Sequence, residues 1–267
     1  MPSRIPSLQT RQPVIPPRNI RLTLAFDGTA YHGWQIQENQ PTIQGVLSHA
    51  IWRITGQRSH PTASGRTDAG THARRLVVNF RTASSIAVAD LGRALNAVLP
   101  GDIRVLEAKQ VTADFHARRS ARSKIYRYQI YLGAVLPPHL AREHFHYPYA
   151  LDTPLMQRAA RLFLGEHDFA GFAAKSGAGS GKAKTLRSTV RRIYRCDLQR
   201  RGRRLLFTVE GSGFLHHMVR NMVGTLLEVG RGRISQAQMQ DLFRKRDRRA
   251  AGFTVPAHGL VLLRVRY

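Results

Sequence analysis

The chain has 267 residues, 42% of them hydrophobic and 8% aromatic, which is long enough for one large or two ordinary domains and too apolar for disorder. It carries 42 Lys and Arg against 16 Asp and Glu, a formal charge of +26, and 36 of those bases are arginine, so a polyanion such as nucleic acid is the expected partner. No run of about 18 apolar residues exists to span a membrane, and the single cysteine, Cys196, excludes an internal disulfide and any zinc site built on several cysteines, which fits a reducing cytoplasm.

Residues 1–18 hold five prolines and three arginines and no apolar signal core, which predicts a disordered basic extension. From Asn19 to Phe26, alternation of Ile20, Leu22, Leu24 and Phe26 predicts a strand, ended by the turn Asp27-Gly28-Thr29. A polar and aromatic loop follows, with Trp34 read as a core plug. Thr42 caps a helix whose apolar positions are Ile43, Val46, Leu47, Ala50, Ile51 and Ile54, and Gly56 closes it. A short strand is expected near 61–64, then another through Val77, Val78 and Phe80. Asp90 to Leu99 predicts a helix stopped by Pro100-Gly101, and Ile103 to Val111 a strand.

The second half repeats this plan. A basic run, Arg118, Arg119, Arg122 and Lys124, leads into a strand with Tyr126, Tyr128, Ile130 and Leu132 on one face. Asp152-Thr153-Pro154 starts a helix with Leu155, Met156, Ala159, Leu162 and Phe163 turned inward. Val190–Leu198 and Leu205–Val209 read as a hairpin around a basic turn. Phe214 to Val229 is a helix with the apolar stripe Leu215, Met218, Val219, Met222, Val223, Leu226 and Leu227. His217, Arg220, Asn221 and Thr225 lie off that stripe. Ser235 with Gln238 makes a capping box for a last helix through Leu242 and Phe243, and Leu260 to Tyr267 is the final strand. Few βαβ signatures argue for antiparallel α+β domains, divided at 19–113 and 114–267. The histidines show no metal-ligand spacing, so no structural metal is expected. Residues 176–185, SGAGSGKAKT, imitate a phosphate loop but lack its first glycine, at Ser176, and its Ser or Thr, at Ala183. With Lys175, Lys182 and Lys184 that stretch suits RNA backbone better.

The residues most suited to chemistry stand at 63–73, Ala-Ser-Gly-Arg-Thr-Asp-Ala-Gly-Thr-His-Ala. Asp68 follows Arg66 and is bracketed by Gly65 and Gly70, which let backbone approach a ligand closely. Arg66 can hold the carboxylate ionised or grip a phosphate. GRTDAGTHA resembles the signature of the tRNA pseudouridine synthase A (TruA) family. Other blocks resemble it in the same order: Phe26-Asp27-Gly28-Thr29 with Gly33-Trp34-Gln35, Lys124 to Tyr128, Gly165 to Phe169, Phe214 to Gly224, and Pro256 to Leu260. Two departures stand out. Thr71 replaces the usual valine, and Arg75-Leu76 the usual Gly-Gln.

The resemblance implies two ferredoxin-like (RRM-like) halves whose antiparallel sheets join into one extended sheet, with a catalytic cleft between them. It implies an isomerase that turns uridine into pseudouridine at positions 38–40 of the tRNA anticodon stem-loop, as a cytoplasmic homodimer with one tRNA touching both subunits. Asp68 is then the catalytic carboxylate, attacking C1′ or assisting proton removal there. Arg220 pairs with it, Tyr126 stacks on the flipped base, and Arg66 clamps a phosphate or helps flip the base. The reaction needs no cofactor, metal or nucleotide. A non-catalytic RRM-like RNA-binding protein would also explain the charge, but the RNP aromatic pattern is missing from the sequence. A nucleoside hydrolase would need a second carboxylate near the motif, and none stands there.

Overall fold

Four alternate side chains, Ile20, Leu22, Leu24 and Phe26, are all buried along the first strand, as a period of two requires when one sheet face is covered. The computed structural model describes residues 16–174 and 188–267. The loop lysines Lys175, Lys182 and Lys184 lie outside the described residues, as does the expected extension up to residue 15. Its last residue, Arg18, already belongs to the first strand.

The first half runs β1 (Arg18–Phe26), α1 (Ile43–Thr55), β2 (Thr62–Ala63), β3 (His72–Thr82), α2 (Val88–Val98) and β4 (Ile103–Val111). The second runs β5 (Ser123–Tyr131), β6 (Phe145–His146), α3 (Thr153–Ala160), β7 (Gly165–Asp168), β8 (Val190–Arg201), β9 (Arg204–Gly211), α4 (Met218–Gly230), α5 (Gln236–Lys245) and β10 (Leu260–Arg266). Local chemistry sets the helix ends. The Thr42 side chain accepts from Gly45 N–H at the start of α1, Asp152 accepts from Leu155 N–H at α3, and Ser235 and Gln238 form a reciprocal capping box at α5.

One sheet runs β4-β1-β3-β10-β5-β9-β8-β7, with β2 on β3 and β6 on β5. Within each half the order is fourth, first, third, second: β4-β1-β3-β2, then β10-β5-β9-β8. That is the ferredoxin-like βαββαβ arrangement, used twice. The halves join where β10 runs parallel to the start of β3, through Val261 opposite His72 and Leu262 opposite Ala73. The fold is therefore α+β, two ferredoxin-like halves sharing one extended sheet.

Two departures from the sequence reading bear on the site. The helix expected from Phe214 begins at Met218, because His217 takes a left-handed conformation, φ 59°. His216 and His217 thus sit in the turn before α4, not on a helix. Asn221 and Thr225, off the apolar stripe by spacing, are fully buried. The 248–254 segment covers them. Arg248 and Thr254 donate to Asn221 Oδ1 at 2.8 and 2.6 Å, and Gly252 N–H donates to Thr225 Oγ1 at 3.0 Å. Buried polar atoms satisfied in this way fix α4 against its neighbours.

Candidate active site

The motif forms the eight-residue connection Ser64–Thr71 between β2 and β3. Its backbone is braced by the loop after β1. Trp34 N–H donates to Thr67 O at 3.2 Å, and Gly70 N–H donates to Tyr31 O at 3.2 Å. Gly33 sits at φ 81°, and a Cβ there would fall 2.4 Å from Thr67 O, so only glycine fits. Trp34 is buried, at 2% exposure, and plugs the core beneath the turn. His72, the first residue of β3, accepts from Gly28 N–H through Nδ1 at 3.1 Å. The same Nδ1 lies 3.2 Å from Asp27 Oδ1, and Nε2 lies 2.8 Å from Arg142 O. One buried imidazole thereby ties the opening turn and a loop of the second half to the motif.

Asp68 lies in this turn with its side chain 23% exposed. Arg220, from the first turn of α4, donates through Nη1 to Asp68 Oδ2 at 2.8 Å and through Nε to Val255 O at 2.8 Å. The two bonds leave the guanidinium one orientation, which aims the carboxylate. Behind it stand His217, whose Nε2 is 3.5 Å from Oδ2, and His216, 3.8 Å from Oδ1. Burial lowers the His217 pKa, the Asp68 carboxylate opposes this, and Arg220, His216 and Arg248 add to the lowering. Asp68, His216 and His217 could each offer a metal one ligand atom, all within 4.8 Å of one another. Arg220 already supplies positive charge at Oδ2 of this carboxylate.

Tyr126 comes from β5 and is buried, with its ring edge-on to Phe214 at 5.1 Å. Burial, then the Asp68 charge, pushes its hydroxyl well above the ordinary phenol range. It therefore stays protonated, a donor with an apolar face beside a carboxylate. Tyr128, two residues on, is structural. Its hydroxyl donates to Pro256 O at 2.6 Å, fixing the segment that Arg220 grips. Arg66 is exposed and makes no hydrogen bond or ion pair among the described residues. Of the four residues that the sequence singles out, the fold brings Asp68, Arg220 and Tyr126 together and leaves Arg66 facing solvent. The sequence reading does not select the histidine pair or His72 as site residues, although two adjacent histidines just before Arg220 are an available signal. The two family departures fare differently. Thr71 is buried with no protein partner for its hydroxyl among the described residues. On β3, Arg75 points outward and Leu76 is fully buried opposite Leu24.

The sequence profile of the tRNA pseudouridine synthase family matches residues 23–118 and 159–267. A protein of Caldicellulosiruptor bescii named tRNA pseudouridine synthase A is 42% identical over 250 residues, covering 94% of this chain and 100% of that one. Proteins of the same name from Solibacter usitatus and Moorella thermoacetica are each 44% identical. They cover 94% and 93% of this chain, and 100% and 99% of their own lengths.

Proposed function

The chain belongs to the tRNA pseudouridine synthase A family, and we propose that it isomerises uridine to pseudouridine at positions 38–40 of the tRNA anticodon stem-loop. The observation that carries this reading is the Asp68–Arg220 pair at 2.8 Å, made by two halves of one sheet and flanked by Tyr126. In the reaction the C1′–N1 bond breaks, the base turns, and C5 joins C1′ while the C5 proton leaves and N1 gains one, so no atom is added or lost. Asp68 acts ionised, either attacking C1′ or assisting proton removal at the sugar. Arg220 holds it in one orientation. Tyr126 offers its face to the extruded base and its phenol near C5. The partly covered cleft keeps water from the detached base.

Arg66, free of protein partners among the described residues, takes a phosphate of the RNA or helps turn the base out. Residues 19–113 and 114–267 serve as two domains, the first supplying Asp68 and the second Tyr126 and Arg220. Several tRNAs are accepted because recognition rests on backbone and shape, which suits an arginine-rich surface. The working form is a cytoplasmic homodimer with one tRNA touching both subunits. No helix among the described residues is long and apolar enough to cross a membrane. The test is incubation with a tRNA transcript and mapping of pseudouridine. Product at one or more of positions 38–40 is expected. A protein that binds the transcript and leaves every uridine unchanged would defeat the reading.

A further inference from the structure

On β5, Lys124 stands two residues before Tyr126 and so on the same face of the strand, about 7 Å away along the chain. Its side chain runs along the motif turn. A Cβ on Gly65 would lie 3.4 Å from Lys124 Nζ and 3.8 Å from Cε, van der Waals contact, so the ammonium lies directly against the backbone of the motif turn. On β9 the residue opposite Lys124 is Gly211, which adds no side chain to the hollow either.

The surroundings are cationic. Burial first, then Arg118 and Arg191, bring the Lys124 pKa down to about 8. Arg118 lowers Arg191 in turn, after burial. Arg191 lies beside Gly213, whose Cβ would be 3.6 Å from its Nε. Gly213 leads into Phe214, the ring packed on Tyr126. Among the described residues no carboxylate pairs with Lys124, Arg118 or Arg191. Glu210, the nearest acid in register, is on the other side, held by Ser123 Oγ at 2.6 Å and Arg266 Nε at 3.0 Å. The sequence of the remaining segments, 1–15 and 175–187, contains no Asp or Glu. Arg191 Nη1 donates only to backbone carbonyls, Ser188 O at 2.7 Å and Val190 O at 2.6 Å. Three mutually repelling cations, one of them mostly covered and none paired with a carboxylate, make a site whose missing member is an anion.

We propose that Lys124, with Arg118 and Arg191 around it, binds a backbone phosphodiester of the RNA immediately beside the target uridine. The proposal rests on the tRNA reading above. With the base on Tyr126 and its sugar at Asp68, an adjacent phosphate reaches the ammonium that lies against Gly65. A phosphate enclosed there interacts more strongly than one on the open surface, because less water screens it. Lys124 is then a residue that places the nucleotide, while general affinity comes from the exposed arginines.

The experiment is a double-mutant cycle read in binding. Anticodon stem-loops carry a single neutral methylphosphonate at either phosphate flanking the target uridine. Each is titrated against the wild-type protein and against Lys124→Met, which keeps chain length and loses charge. One of the two positions should weaken wild-type binding at least about tenfold. Lys124→Met should weaken binding of the unmodified RNA by a similar factor, and the two together no more than either alone. Losses that multiply, or a wild type indifferent to both positions, would overturn the site. Arg191→Gln, on the rim, repeats the cycle if Lys124→Met does not fold. Failure of the functional reading looks different: the wild-type protein then binds the unmodified stem-loop but leaves no pseudouridine in it.

Discussion

The two halves use one topology, yet the same connection does different work in each. In the second half, β8 and β9 are 12 and 8 residues long and meet in a two-residue turn, Gly202-Arg203. In the first, the equivalent strand β2 is two residues long, and the connection to β3 is the eight-residue turn carrying Asp68. Pro61 before β2 and Gly65 after it explain the truncation, since neither supports a strand interior. Shortening β2 leaves the start of β3 unpaired on that side, and β10 takes the place. The break in the repeat thus does two things at once. It joins the halves, and it sets the carboxylate opposite the Tyr126 and Arg220 of the other half.

The largest effect should come from the group on which this contrast turns. Asp68→Asn keeps the shape and loses the charge, and should lower turnover about a thousandfold or more in a folded protein that still binds tRNA. Replacing Arg203 by Ser, which keeps Gly202 where the turn needs its positive φ, should leave turnover within about twofold. Pseudouridine formation under single-turnover conditions reads both. Equal losses would mean that the broken repeat has no special role. Next is Arg220. Lysine keeps the charge but cannot bond Asp68 and Val255 O together, so Arg220→Lys should cut turnover about ten- to a hundredfold. Arg220→Ala should cut it further and destabilise the fold by about 1–3 kcal/mol, because it leaves a partly covered carboxylate unanswered. A lysine variant with wild-type turnover would show that charge alone suffices.

Backbone angles offer a third contrast between the halves. Gly33 and Gly202 both have positive φ, 81° and 59°. An alanine at Gly33 would also drive its Cβ into Thr67 O, whereas at Gly202 it meets open space. Gly33→Ala should therefore cost about 2–4 kcal/mol in urea unfolding, and Gly202→Ala about 1 kcal/mol. Equal costs would mean that the loop after β1 does not brace the motif turn.

Much of this architecture is legible in the sequence because its signals are local. Thr42, Asp152 and the Ser235–Gln238 pair each announce a helix start by side-chain chemistry, and the alternation from Ile20 to Phe26 announces a strand. What escapes is set by backbone angle or by distant partners. The apolar pattern runs through Phe214 and Leu215 without pause, so periodicity carries the helix back to them. Only φ at His217 stops it, and that turn is what brings two histidines to Asp68. Asn221 and Thr225 look like surface residues until the 248–254 segment covers them. The pairing of β10 with β3 depends on how little of β3 is taken by β2, and two residues of strand leave almost no pattern to read. Family resemblance points to Arg220, with its helical position in support. Spacing alone does not send it to a carboxylate 152 positions away.

Lys124 gives the smallest and sharpest test, because it separates stability from binding at one residue on the cleft. Its pKa falls from 10.5 in the ordinary state to about 8 in the folded protein. Below pH 8 it is protonated in both folded and unfolded chains, so the folded state carries the full penalty of holding that charge among arginines. Between about pH 8 and 10.5 the unfolded chain keeps a proton that the folded one has released. Stability contributed through this group therefore rises with pH across that window. The shift bounds the penalty at about 3 kcal/mol, and water at the uncovered end of the side chain should reduce it to about 1–2 kcal/mol. Lys124→Met removes the charge and keeps a flexible apolar chain of similar length. It should be more stable than wild type by that amount at pH 7, and the advantage should shrink by pH 9.5. Its RNA affinity should be lower and its salt slope shallower by about one. Urea unfolding at the two pH values and a salt titration of stem-loop binding measure these. A variant less stable than wild type at pH 7, or a gap unchanged at pH 9.5, would show that Lys124 is a packing residue and that the fold bears no strain there for RNA to relieve.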